Sequence, residues 1–184
     1  MFLFCGRMIW YKNLKLILDA LKMLSHAGIK YRAFFVGDGV DRPAVEQYAK
    51  NLDIYQNTVF TGSVYDRDRL KAFFTRADLF MFPSTYDTSG LVVREAAACY
   101  TPSILVKGSC ASEGVEDGFS GVFCEETAED FAKKLAELCK APSAFETLGN
   151  NAANHVYYSW EDSVANAVTR YELVLENHLK NKSK

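Results

Sequence analysis

The chain has 184 residues, 49% of them hydrophobic and 24% charged, with a formal net charge of −2. That length suits one domain, or one large domain with an appended helix, and the apolar content supports a full core and argues against disorder. The near-neutral balance, with no Lys/Arg block before the tail, argues against general nucleic-acid binding, so an anionic ligand must be held by local cations.

No apolar run approaches the roughly 18 residues that span a bilayer. The opening residues, MFLFCGRM, lack the basic start and long apolar stretch of a secretory signal. Cys5, Cys99, Cys110, Cys124 and Cys139 are odd in number and include no C-x-x-C pair, which favours free thiols in a reducing cytoplasm over disulfides or zinc. His26, His155 and His178 have no metal-ligand spacing.

The pattern then alternates strand and helix. Phe2 to Cys5 reads as a strand. Asn13 to Ala27 reads as a helix with Leu14, Ile17, Leu18, Leu21 and Leu24 on one face, ended by Gly28. Tyr31 to Val36 is a second strand. The Gly37-Asp38-Gly39 turn after it lacks the full G-x-G-x-x-G pattern and reads as a plain strand-to-helix turn. Asp41 to Leu52 is a helix with Pro43 in its first turn. Thr58 to Thr61 is a third strand, closed by Gly62. Asp66 to Thr75 is a helix; Asp66-Arg67-Asp68 has the form of a metal-binding D-x-D, but at a helix start capping is the better reading.

Asp78 to Ala98, DLFMFPSTYDTSGLVVREAAA, is the stretch around which the rest is organised. Leu79 to Phe82 is a short apolar run of the kind found in buried parallel strands. Pro83 to Ser89 is a polar turn. From Gly90 the pattern becomes helical, with the strong helix formers Glu95, Ala96, Ala97 and Ala98. A strand, a glycine-marked turn and a helix start aim backbone N–H groups at whatever lies above the strand end, a site suited to phosphate. Asp87 and Glu95 flank it.

Ser103 to Val106, preceded by Pro102, is a fifth strand and Gly121 to Cys124 a sixth. Ala128 to Cys139, Ser143 to Asn154 and Trp160 to Leu179 are helices, the last opened by Ser159 and Asp162 in capping-box spacing. Val164, Val168, Tyr171, Leu175 and His178 fall on one side of it, an apolar face seeking a partner. The KNKSK tail reads as frayed.

Strands alternating with helices of this length predict an α/β fold: a doubly wound six-stranded parallel sheet, order 3-2-1-4-5-6, helices on both faces and a long C-terminal helix. Ligands of such sheets bind beyond the carboxyl ends of strands 1 and 4, at the switch point. Strand 1 ends at Gly6-Arg7 and strand 4 at the loop holding Asp87 and Gly90, so the two loops richest in chemistry are expected to meet. Arg7 has a guanidinium able to grip two phosphate oxygens, and Lys12, at the start of the first helix, has a movable point charge. Together they suit a diphosphate. The alternative is that both are solvated surface charges; their place at the switch point favours a ligand. On the residues alone, Asp87 as a helix cap and Glu95 as a surface carboxylate stand level with functional roles.

The successive blocks GRMIWYKNLKLILDAL, FFVGDG, VFTGSV, ADLFMFPSTYDTSGLVVREAAA and EGVEDGFSG resemble, in order, those of the C-terminal, nucleotide-sugar-binding half of retaining glycosyltransferases with two facing Rossmann-like domains, the GT-B architecture, especially glycosyltransferase family 4. The resemblance covers nearly the whole chain. The family's signature is two glutamates separated by seven residues. Glu95 matches the second, and Asp87 stands in place of the first, one methylene short.

The resemblance implies a division into residues 1–158, a Rossmann-like donor-binding domain, and 159–184, a C-terminal helix and tail that would cross to an N-terminal acceptor domain not in the chain. Arg7, Lys12, Asp87 and Glu95 would be the catalytic set. Arg7 and Lys12 would hold the donor diphosphate and its developing charge, Asp87 would lie beside sugar or phosphate, and Glu95 would accept from ribose hydroxyls. Gly6 and backbone groups of Thr88, Ser89, Gly90 and Leu91 would line the diphosphate or sugar, and Ser63 and Val64 the base. Glu113 would be a loop cap or a contact near the donor. Trp10 and Tyr11 would pack within the loop, against a partner domain or against a hydrophobic acceptor.

The implied donor is a UDP- or GDP-type nucleoside-diphosphate sugar, with no obligatory metal or other cofactor. The acceptor would be a glycan or lipid bound by the N-terminal domain. The setting would be cytoplasmic, with peripheral membrane association of a full-length enzyme left open. Two other readings stand beside it: a non-catalytic nucleotide-sugar-binding module, and half of a sugar-nucleotide epimerase, whose acid and base groups are not found in the sequence. A NAD-dependent enzyme is less favoured, because the glycine fingerprint is incomplete.

Overall fold

The computed structural model describes residues 1–182. Six parallel strands, β1 (Phe2–Cys5), β2 (Ala33–Val36), β3 (Thr58–Gly62), β4 (Leu79–Phe82), β5 (Ser103–Val106) and β6 (Gly121–Cys124), form one sheet in the order β3-β2-β1-β4-β5-β6. The chain winds outward from β1 to β3, returns to the other edge of β1, and winds outward again to β6. The doubly wound expectation is therefore borne out, strand order included. Register places Phe2 beside both Ala33 and Leu79, so β1 is the sheet's hinge between halves.

Strands such as LFMF and SILV are buried at every position because helices cover both faces. On one face α1 (Leu14–His26) packs against α5 (Ala128–Lys140) and against α2 (Arg42–Asn51). On the other, α4 (Leu91–Ala98) packs between α3 (Arg67–Arg76) and α6 (Ser143–His155). The final helix, α7 (Trp160–Lys182), continues into the tail expected to fray, whose last two residues lie outside the described residues. All of its side chains from Trp160 to Lys180 are exposed, including Val164, Val168, Tyr171 and Leu175.

One row of aromatic rings runs across the sheet. Phe60 stacks on Phe35 at 4.9 Å, Phe35 meets Phe4 at 5.9 Å, and Phe4 meets Phe82 at 6.5 Å. Phe4, Phe35 and Phe82 are fully buried, so these rings form a rigid floor one layer below the carboxyl ends of β2, β1 and β4.

Local differences from the expected elements have physical reasons. The second strand starts at Ala33 rather than Tyr31, because both neighbouring strands begin opposite Ala33, at Phe2 and Thr58. Lys12 is not in the first helix: Trp10–Lys12 form a 3-10 turn, and Asn13, in the left-handed region at φ 57°, starts α1. Asp66 caps α3 by accepting from Arg69 N at 2.9 Å, as the capping reading required. Ser159 caps α7 by accepting from Asp162 N at 3.0 Å, but the Asp162 carboxylate accepts from the Ser159 hydroxyl at 2.7 Å rather than from its backbone N–H, so the short Asp forms only half of the expected capping box. The five cysteines are free thiols.

Candidate functional site

The loop after β1 carries Gly6, Arg7 and Lys12, and it is held from below by the turn after β2. Gly6 N donates to Val36 O at 3.0 Å, Met8 N to Asp38 O at 2.9 Å, and Asp41 N to Met8 O at 3.2 Å. The two backbones are so close that a Cβ at Gly39 would run into the Met8 carbonyl. Trp10 N donates to Asp41 Oδ2 at 3.0 Å, and the Trp10 ring packs edge-on against Tyr48 at 6.0 Å. Trp10 is thus loop packing, whereas Tyr11 stays exposed. The Gly37-Asp38-Gly39 turn does more than connect: it fixes the backbone on which Arg7 stands. Arg7 is exposed, and its guanidinium has no hydrogen-bond or ion-pair partner among the described residues.

The loop after β4 carries Thr85 to Gly90, and the two loops meet. Lys12 Nζ donates to Asp87 Oδ1 at 2.7 Å across 75 residues of chain. The same ammonium lies 5.2 Å from the centre of the Phe82 ring, so the aromatic floor seats it by a cation–π contact. One residue earlier in each loop, the Tyr11 and Tyr86 rings meet edge to face at 6.1 Å.

Gly90 opens α4 with no side-chain cap, in the left-handed region at φ 56°. A Cβ there would lie 2.8 Å from Ala111 Cα, so glycine is required for conformation and for space. The turn Cys110–Ser112 after β5 therefore presses on the start of α4. The uncapped first-turn N–H groups of α4, with the partial positive charge of the helix start, lie beside the Lys12–Asp87 loop pair.

Of the other expected site residues, Thr88, Ser89 and Leu91 are exposed around that helix start, and Gly90 is buried. Glu95 is exposed on α4, without a hydrogen bond or ion pair among the described residues. Its charge still reaches Cys5 at the end of β1: burial first, then Glu95, pushes that thiol up to about 12. Ser63 is exposed and Val64 half-buried after β3, two strands from β1. The structure thus joins Lys12 to Asp87, three residues ahead of Gly90, while Arg7 stands on the β1 loop, Glu95 on α4, and Ser63 and Val64 follow β3. Glu113 closes the 3-10 turn beside α4 and is exposed.

Two residues that organise the site carry little sequence signal. Asn13 Nδ2 donates to Pro83 O at 2.9 Å and to Glu126 Oε1 at 2.6 Å, and Thr85 Oγ1 donates to Glu126 at 3.2 Å. Asn13 and Glu126 so tie the exits of β1, β4 and β6 together. Asn13 is detectable only as a residue that tolerates the left-handed region at a helix start; nothing marks Glu126.

A doubly wound sheet with the Lys12–Asp87 pair and an uncapped helix start at its switch point has the features that suit a phosphorylated ligand. The family model of glycosyl transferases group 1 matches residues 1–155. The chain belongs to that family, as the sequence blocks implied.

One relative, the GDP-mannose-dependent alpha-(1-6)-phosphatidylinositol dimannoside mannosyltransferase of Mycobacterium tuberculosis, is 30% identical over 138 residues, covering 75% of this chain and 35% of the relative. The chain therefore spans well under half the length of that relative. Two solved structures share the fold. The C-terminal domain of the group 1 glycosyl transferase LpcC from Francisella tularensis has a TM-score of 0.75 at 19% identity, covering 83% of this chain and 82% of that one. Anabaena HepE in complex with UDP and glucose has a TM-score of 0.72 at 23% identity, covering 83% of this chain and 42% of that one. No helix among the described residues is long and apolar enough to cross a membrane.

Proposed function

We propose that this chain is the donor-binding half of a retaining glycosyltransferase that moves a sugar from a nucleoside-diphosphate sugar to a glycan or lipid acceptor. The observation that carries the reading is the meeting of the β1 and β4 loops at the switch point, where Lys12 bonds Asp87 three residues ahead of the uncapped start of α4. A departing diphosphate needs positive charge where its own charge develops, and preorganised donors of this kind supply it. The relatives support the donor class: one is named for dependence on GDP-mannose, and HepE is described with UDP and glucose.

In this reading Arg7 and Lys12 hold the diphosphate, with Gly6 and the backbone of Thr88, Ser89, Gly90 and Leu91 along its path. Asp87 stands beside the sugar–phosphate junction. Glu95 accepts from the ribose hydroxyls. Ser63 and Val64 flank the base. Catalysis requires no metal or other cofactor. The acceptor sits on an N-terminal domain, to which α7 (residues 159–184 with its cap and tail) crosses, so that its exposed apolar side chains are covered there.

The test is a thermal-shift and calorimetric titration with UDP, GDP and ADP, with and without magnesium. One nucleotide is expected to raise the melting temperature, and Arg7→Ala or Glu95→Ala to remove the rise. No rise with any nucleotide, in a folded sample of this chain and again in its full-length protein, would overturn the reading.

A further inference from the structure

We infer that Asp87 is a positioning residue that acts through Lys12: it holds the ammonium in a neutral pair and thereby weakens the grip on a free nucleoside diphosphate more than on the sugar-bearing donor. This rests on the donor-binding reading above and gives Asp87 a role on product release.

The pair is built in. Lys12 and Asp87 side chains are 13% and 23% exposed, far less than swinging surface charges. The ammonium is seated on the Phe82 ring, and the Tyr11–Tyr86 contact clasps the same two loops one residue away. Asp87 Oδ2 is buried with no hydrogen-bond partner, so within the protein the carboxylate serves Lys12 alone. An ammonium has three donors. One goes to Asp87 at 2.7 Å, leaving two for phosphate oxygens.

The charges then decide the effect. Arg7 and Lys12 are matched by Asp87 and Glu95, so the crevice is close to neutral before a ligand enters. A nucleoside diphosphate bears one more negative charge than the corresponding sugar nucleotide, and that charge falls on the terminal phosphate released by sugar transfer. Asp87 repels both species, but it repels the more highly charged one more strongly. A short carboxylate tied to Lys12 thus keeps the ammonium in place for the donor while easing the product out.

The test is calorimetry on the 184-residue chain with UDP, GDP, UDP-glucose, GDP-mannose and inorganic pyrophosphate at two salt concentrations. Asp87→Asn, nearly isosteric, is expected to bind the preferred free diphosphate roughly three- to tenfold more tightly, with a smaller gain for its sugar-bearing form and a steeper loss of affinity with salt. Asp87→Glu, which restores the charge, is expected to return both the affinity and the salt dependence toward wild type. Lys12→Met added to Asp87→Asn is expected to erase the gain.

If the wild type binds and Asp87→Asn binds the diphosphate no more tightly, or gains equally for donor and product, the inference is wrong and the donor reading stands. If neither protein binds any of the five ligands, as this chain and again as its full-length protein, both fall.

Discussion

Gly90→Ala probes whether the start of α4 is held rigidly against the turn after β5. Alanine at φ 56° costs roughly 1–2 kcal/mol in left-handed strain. The added Cβ would also lie 2.8 Å from Ala111 Cα and 2.9 Å from Ala111 Cβ, neither of which belongs to a flexible chain end. Relieving that overlap costs about 1–3 kcal/mol more. Gly114→Ala is the matched control: its φ is 80°, but a Cβ there meets nothing within 4 Å. Urea unfolding followed by circular dichroism should therefore place Gly90→Ala about 2–5 kcal/mol below wild type and Gly114→Ala only about 1–2 kcal/mol below it. Nucleotide affinity should fall with Gly90→Ala and hold with Gly114→Ala, because only the former displaces the first-turn N–H groups. Equal losses for the two variants, or a destabilised Gly90→Ala that keeps its nucleotide affinity, would refute the argument.

Three further outcomes are expected. Asn13→Ala should cost about 2 kcal/mol, because it loses the bonds to Pro83 O and Glu126 and places alanine at φ 57°, while Asn13→Gly should lose only about half of that; urea unfolding distinguishes them. Phe82→Leu should preserve most of the core yet remove the seat under the Lys12 ammonium, weakening pyrophosphate or nucleotide binding severalfold by calorimetry. Cys5 and Cys124 are pushed up to about 12, chiefly by burial, from an ordinary 9.0. The unfolded chain therefore loses those protons first, and stability is complete below pH about 9 and falls as pH rises toward about 12. Urea midpoints across that range check the sign, and iodoacetamide at mildly alkaline pH should label exposed Cys110 well before either.

The fold was largely legible because the strands are short apolar tetrads fenced by glycine, proline and charge. The boundaries of β1, β4, β5 and β6 fall where Cys5-Gly6, Phe82-Pro83, Pro102-Ser103 and Gly121 suggest. The strand order is the commonest one for alternating strands and helices, and with it comes the meeting of the β1 and β4 loops. What sequence did not disclose depends on register and side-chain reach. The Phe60–Phe35–Phe4–Phe82 row exists only once Phe35 is paired with Phe60 and with Phe4. The Lys12–Asp87 bond needs a 3-10 turn that swings Lys12 out of α1, and a turn of three residues has no periodicity to read. The Asn13–Glu126 tie spans 113 residues and leaves no local trace.

The strand at the centre of the sheet comes first of the six in sequence. β1 can pair with β2 as soon as Val36 has followed it, but its other edge waits for β4, with Phe2 paired to Leu79. Until then the first half of the sheet presents an open flank at its most apolar strand, and closing that long loop is slow in entropy terms. The crevice therefore comes into being only when the two halves join along β1, late in folding. For the same reason it is the line along which the domain can part first: a weakness in β4 or its loop would separate Lys12 from Asp87 while β1, β2 and β3 remain assembled, so hydrogen exchange should register the β1–β4 seam as the earliest to open within the sheet.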